Sequence, residues 1–237
     1  MNYFYITGTS SGIGLALTYQ LLSNDSNYVV GYSRRNVVSH HRYKHIQIDF
    51  SQQGAAREVE IPLFPNAKHV VLINNAGILG DVKPIGKIAN EQLEKTFMVN
   101  TVSPTILTNR LLSLYLPSAE LITIVNISSG AARHAVESWG GYCASKAAID
   151  MFSSVLHAEQ KLDETSRVKV ISIAPGIVDT PMQDMVRQID PTYFPQSERF
   201  HQYKQQGMLT STEQVAKKIV ELIANPPNNP IIDLRTP

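Results

Sequence analysis

Short apolar runs separated by helical stretches leave this chain few ways to fold. NYFYIT, NYVVGYS, HIQI, HVVLIN, LITIVNI, VKVISIA and PIIDL recur along it, each too short for a helix of ordinary length and several apolar almost without interruption. Strands buried on both faces of a parallel sheet read this way. Helical patterns lie between most of them, so strand and helix alternate. The reading is an α/β fold, a doubly wound parallel sheet of about seven strands covered by helices on both faces. No shift in composition, repeat or low-complexity stretch divides the 237 residues, which points to one domain.

Ligands bind such sheets at the carboxyl ends of the strands. The first strand runs directly into TGTSSGIG (Thr7 to Gly14) and then into an amphipathic helix. Gly8 permits a tight turn, Gly12 lets backbone approach a pyrophosphate, and Gly14 lets helix and strand pack closely. With Ser10, Ser11 and Ile13 they form a loop whose helix directs its free amides and positive dipole end at phosphates. The second strand ends in Ser33, Arg34 and Arg35, where dinucleotide-binding folds place an acidic residue on the adenosine ribose. A guanidinium suits a 2′-phosphate instead, so the expected cofactor is NADP(H) rather than NAD, with Arg34 as the contact. HIQIDFSQQ (His45 to Gln53) reads as a third strand with Asp49 at its carboxyl end, placed for an adenine amino group, and a weak helix follows from Ser51 to Pro65. HVVLINNAG (His69 to Gly77) ends in Asn74, Asn75, Ala76 and Gly77, small enough to lie against a cofactor ribose.

Tyr142 and Lys146 stand one helical turn apart, and Ser129 closes the strand before them. A tyrosine with a pKa of about 10 is a poor proton donor near neutrality, and lowering it by three units takes about 4 kcal/mol. An ammonium about 4 Å away at an effective dielectric near 20 supplies about that much. Ser129 would hold a substrate oxygen as charge develops on it. Asn100, mid-way along a helical pattern from Ala89 to Leu116 with Pro104 inside it, needs a local carbonyl, a water or a relay to Lys146. From Met182 to Met208 the chain reads as irregular and polar, a substrate lid. Ser211 and Gln214 then form a capping box for another helix.

Other chemistries are disfavoured. The net charge of +1 gives no global attraction to nucleic acid or an anionic membrane, and no apolar run reaches the length of a membrane helix. The seven histidines show no metal-ligand spacing, so no metal site is expected. Ser129 lacks the G-x-S-x-G turn of a serine hydrolase. Cys143, the single cysteine, excludes an internal disulfide, suits a cytoplasmic protein and reads as a small buried residue.

TGTSSGIG, Asn74 to Gly77, Asn100, Ser129, Tyr142-x-x-x-Lys146 and Pro175-Gly176 together resemble the short-chain dehydrogenase/reductases, in that family's order and over nearly the whole chain. The resemblance implies a single-domain Rossmann enzyme moving hydride between a nicotinamide and a carbonyl or alcohol carbon. It implies Tyr142 as general acid or base, Lys146 on the nicotinamide ribose, Ser129 orienting substrate and Asn100 holding a relay water. The carboxamide contacts would fall on the Val178 backbone and the Thr180 hydroxyl, beside Pro175 and Gly176, and Asn75 would meet the adenosine-side ribose region, with Ala76 and Gly77 beside it in the cofactor site. Many NADP-dependent members carry a basic residue where Ser11 stands. NNAGILGDV, SGAARHAVESWGGYCASKAAIDMF and APGIVDTPMQ are similar to the sepiapterin reductase and benzil reductase branch, which implies a diketone, or a ketone beside an aromatic or pterin ring. Trp139, Tyr193 and Phe194 suit the walls of such a pocket, and Trp139 equally suits core packing. Asp233 falls near the pterin-anchoring aspartate of that branch, although relatives with other substrates also carry one there. Family members form homodimers or homotetramers through the helices beginning near Asn100 and Tyr142. An NAD-dependent alcohol dehydrogenase and a cofactor-sensing protein without turnover are the alternatives; the second would have a damaged tetrad, and all four positions are filled.

Overall fold

The computed structural model describes residues 1–163 and 165–235. Seven strands, β1 (Asn2–Thr7), β2 (Asn27–Ser33), β3 (Tyr43–Gln47), β4 (His69–Asn74), β5 (Leu121–Ile127), β6 (Val168–Ala174) and β7 (Ile231–Asp233), form one sheet in the order β3-β2-β1-β4-β5-β6-β7. Every pairing is parallel. The strand order turns back between β1 and β4, where open α/β sheets open a crevice.

Two apolar layers fill the faces. One packs α1 (Gly12–Leu22) and α8 (Thr212–Ala224) on β1 and its neighbours through Leu17, Leu21, Val215 and Ile219. The other packs α4 (Ser103–Tyr115) and α5 (Gly140–Lys161) through Leu107, Leu111 and Leu156. α8 starts on the expected capping box, Ser211 Oγ accepting from the Gln214 amide at 3.2 Å and the Gln214 side chain accepting from the Ser211 amide.

Four boundaries differ from the sequence reading, each for a local reason. β3 is an edge strand that starts at Tyr43 and stops at Gln47 because β2, its one neighbour among the described residues, ends opposite at Ser33. Asp49 therefore lies two residues past the strand. The expected helix over 51–65 shrinks to α2 (Ala55–Glu58), bounded by left-handed Gly54 (φ 83°) and the prolines at 62 and 65. The helix over 89–116 is interrupted: α3 (Asn90–Phe97) passes into a π turn, Met98–Val102, before α4. Pro104 has no amide hydrogen to bond the Asn100 carbonyl four residues back, and the Ser103 amide bonds Met98, five back, instead. The segment 182–208 is not irregular; it carries α6 (Pro181–Arg187) and α7 (Ser197–Gln205), both too short for periodicity to expose and separated by a stretch holding the prolines at 191 and 195.

Candidate active site

The carboxyl ends of β1, β4, β5 and β6 converge on one edge of the sheet. Thr7, the last residue of β1, accepts at its hydroxyl from the Asn75 and Ala76 amides, both at 2.9 Å. The Asn75 side chain returns the contact, donating to the carbonyls of Thr7 (2.9 Å) and Gly8 (3.3 Å). Asn75 thus clasps the loops after β1 and β4, and its amide nitrogen is used in the scaffold. A Cβ on Gly14 would lie 2.3 Å from the Gly8 carbonyl oxygen and 2.4 Å from Asn75 Nδ2. Gly14→Ala should therefore lower stability by several kcal/mol, about the scale of an overpacked core position, a loss that thermal unfolding would measure.

Several observations fit a dinucleotide to this edge. Gly8 and Gly12 hold left-handed φ of 77° and 56°, and α1 has Ser11 at its N-cap position, with no side-chain cap and no acidic residue in its first turn. Its leading amides therefore have no side-chain competitor for a phosphate. Ser10 and the exposed Ser11 rim this loop, whereas Ile13 turns its side chain into the core and has only backbone to offer. Across the loop, the Thr180 methyl lies 3.4 Å from where a Gly12 Cβ would be, and the Thr180 side chain does not cap α6. Val178 pairs in parallel with Thr210 through the Ile177 carbonyl and the Asp179 amide, both at 2.9 Å. That pairing turns Val178's own amide and carbonyl to the opposite side, as a backbone carboxamide contact requires. Pro175 and Gly176 (φ 84°) make the turn that brings it there. Arg34 and Arg35 are exposed past β2. Burial works to raise the Asp49 carboxyl, but hydrogen bonds from Ser51 and the charges of Arg34 and Lys95 win, and it is held below the ordinary carboxylate value.

Beside this cradle, α5 presents Tyr142 and Lys146 on one face, 7% and 5% exposed. Ser129, past the end of β5, hydrogen-bonds the Tyr142 phenol and caps a 3-10 turn, accepting from the Ala131 amide at 3.2 Å. Lys146 Nζ donates to the Ile127 carbonyl at 2.8 Å and lies 5.8 Å from the Tyr142 ring centre. A Cβ on Gly77 would approach Lys146 Nζ to 3.5 Å and Asn100 Oδ1 to 3.4 Å, so a glycine there keeps both groups accessible. Asn100 is buried in the π turn. Its Oδ1 accepts from the Ile78 amide (2.9 Å), and its Nδ2 donates to the Ile78 carbonyl (2.8 Å) and to Ser145 Oγ (3.0 Å). The backbone of Ile78, in the loop after β4, and the Ser145 hydroxyl, not Lys146 or a local carbonyl, answer the polar requirement of its side chain. The four expected catalytic positions are thus brought together.

The electrostatics correct one expectation. Burial pushes the Tyr142 phenol above its ordinary value, against the pull of the Ser129 hydrogen bond. Burial also lowers Lys146 to about 8, opposed by the charge of Asp150. The lowering of Tyr142 argued from Lys146 at intermediate dielectric is absent in the protein alone, because the same dry surroundings disfavour charge on both partners. Asp150, one further turn along α5 and held by the Ser172 hydroxyl at 2.7 Å, is the site residue that the sequence reading passed over. Its signal was present: Tyr142, Lys146 and Asp150 repeat every four residues. Also unforeseen is a buried polar chain below the site, Asn74 Nδ2 donating to Asn126 Oδ1 (2.8 Å) and Asn126 Nδ2 to Ser153 Oγ (2.8 Å).

An apolar wall closes the other side. Trp139 meets the Tyr142 ring edge-on at 5.6 Å and contacts Phe194 and Phe200, from the 182–208 segment, at 5.5 and 5.9 Å. Phe194 is fully buried, whereas Tyr193 is 37% exposed and its carbonyl accepts from Ser138. Asp233 ends β7 with its carboxylate held by Arg235 at 2.9 and 2.6 Å and facing Arg133 at 3.7 Å; Arg235 above all keeps it ionised down to about 2. Cys143 is half-buried, with the His134 carbonyl 4.0 Å from its sulfur. Among the described residues no group of three His, Cys, Asp or Glu is arranged to hold a metal ion, and no helix is long and apolar enough to cross a membrane.

Residues 2–190 match the family model described as short chain dehydrogenase. The chain is 31% identical to a benzil reductase ((S)-benzoin forming) of Bacillus subtilis (strain 168) over 94% of its own length and 93% of that protein's. It is 35% identical to a sepiapterin reductase of Meriones unguiculatus over 74% of this chain and 68% of the other. Among solved structures, the Saccharomyces cerevisiae short chain dehydrogenases/reductase YIR035C superposes with a TM-score of 0.84 at 25% identity, covering 100% of this chain and 97% of that one.

Proposed function

The chain belongs to the short-chain dehydrogenase family, and from that premise we propose that it is an NADPH-dependent carbonyl reductase acting on a diketone or on a ketone beside an aromatic or pterin ring. The observation that carries this reading is the Tyr142 phenol, hydrogen-bonded by Ser129 on one side and faced by Trp139 on the other. Bound in the glycine-bordered cradle, the reduced nicotinamide supplies the hydride. Ser129 holds the carbonyl oxygen, and Tyr142 gives that oxygen its proton. Lys146, fixed between the Ile127 carbonyl and the charge of Asp150, grips the ribose and favours negative charge on the phenol oxygen as the proton leaves. Asn100 keeps the loop after β4 in place beside them and holds the relay water. Phe194 and Phe200 ride on the 182–208 segment, which acts as a lid excluding water over Trp139. Arg34 takes the 2′-phosphate, Asp49 the adenine amino group and Asn75 the ribose region.

Exposed Val102 and Leu114 at α4, with Met151 and Val155 one turn apart on α5, support assembly as a homodimer or homotetramer through these helices. A small carbonyl compound in the cytoplasm is the partner proposed, with neither nucleic acid nor membrane required.

Benzil offered with NADPH should consume the coenzyme and yield benzoin, and NADH should serve less well. Arg34→Asp should reverse that order, since a bidentate cation–phosphate contact becomes a repulsion; a change of about tenfold or more in the ratio of kcat/KM is expected. Oxidation of no coenzyme by any diketone, or an unchanged ratio in Arg34→Asp, would remove the reading.

A further inference from the structure

Tyr43 and His45 lie two apart on the edge strand β3 and so share a face. Beside them β2 carries Gly31, where a Cβ would sit 2.2 Å from the Tyr43 hydroxyl. Only glycine leaves the phenol room to cross β2. The hydroxyl thereby reaches Thr9 Oγ1 at 2.9 Å, inside the glycine loop. Thr9, fully buried, donates to Ser33 Oγ at 3.3 Å; Ser33 donates to the Arg35 carbonyl at 2.8 Å and meets His45 Nε2 at 3.0 Å. Each hydroxyl has one proton, which fixes the directions: Ser33 gives its proton to Arg35, Thr9 to Ser33, Tyr43 to Thr9, and His45 donates Nε2–H to Ser33. Four side chains therefore tie the loop for the pyrophosphate to the turn bearing Arg34 and Arg35. The mechanism above uses none of them.

We propose that this strut makes Tyr43, Thr9 and Ser33 positioning residues that set coenzyme preference, by holding the Arg34–Arg35 turn in register with the glycine loop before the 2′-phosphate arrives. A closed hydrogen-bond network between two loops fixes their relative geometry, and preorganisation of a charged contact raises its affinity. NADH, without the 2′-phosphate, gains little from that turn. The inference rests on the proposed preference for NADPH.

The test is titration of the purified protein with NADPH and with NADH, following binding by fluorescence. Tyr43→Phe keeps the ring over Gly31 and removes one bond, Thr9→Val removes two, and Thr9→Ser keeps both. Tyr43→Phe should weaken NADPH by about three- to tenfold, the size of one net hydrogen bond, with NADH changed less than about twofold and kcat at saturating NADPH preserved. Thr9→Val should do at least as much, the double variant should add little to it, and Thr9→Ser should restore the wild-type ratio. Equal losses for the two coenzymes, or no loss in Tyr43→Phe, would overturn the strut as a selector. Tighter NADH in the wild type would instead defeat the NADPH reading, and that outcome is visible before any variant is made.

Discussion

Tyr142→Phe should lower kcat by about 10²- to 10⁴-fold, the contribution of a positioned general acid, while the Kd for NADPH stays within about twofold. The substitution keeps the ring that packs edge-on against Trp139 and deletes only the oxygen bonded by Ser129. Folding and the cradle around Gly8, Gly12 and Thr180 are untouched by it. Single-turnover reduction of a diketone, measured beside coenzyme binding, separates the two effects. A variant that reduced the ketone at the wild-type rate would show that the proton comes from elsewhere.

Lys146→Met should produce the opposite pairing, a more stable protein that has lost turnover. The Lys146 ammonium is held in a dry site, and its fall from 10.5 to about 8 corresponds to about 3 kcal/mol against the charged form at pH 7. Part of that is recovered by the bond to the Ile127 carbonyl, which methionine cannot make, so a net gain of about 2 kcal/mol is expected. The sign with pH follows from proton counting. Between about 8 and 10.5 the unfolded lysine still holds a proton that the folded one has released, so wild-type stability rises across that window; below about 8 both states are charged and the full penalty applies. Lys146→Met should flatten the rise. Denaturant titrations at pH 7 and pH 9.5 would show both features, and a variant less stable than wild type at pH 7 would contradict the burial argument.

Much of this was legible in the order of residues because the signals are local. Short apolar runs mark the strands, and Gly8, Gly12 and Gly14 mark a turn that only a chain without Cβ atoms can make. The Tyr142–Lys146 spacing sets one helical face. What escaped depends on neighbours distant in sequence. β3 stops where β2 stops, which no property of residues 48–53 declares. The π turn follows from the proline at 104 meeting Asn100, whose partners belong to the loop after β4. Titration at Tyr142 reverses the expected direction because burial is a property of the assembled core, not of an i, i+4 spacing. The Thr9–Tyr43 contact joins residues 34 apart and exists only because Gly31 lies between them.

The clasp formed by Thr7 and Asn75 joins β1 to β4, the place where the strand order reverses. It lies on the seam between the two halves of the sheet, and the glycine loop and the Gly77 turn flank it. A dinucleotide bound as proposed would be a splint across that seam. Coenzyme occupancy and resistance to unfolding would then be one linked equilibrium, the protein toughest when it is ready to react.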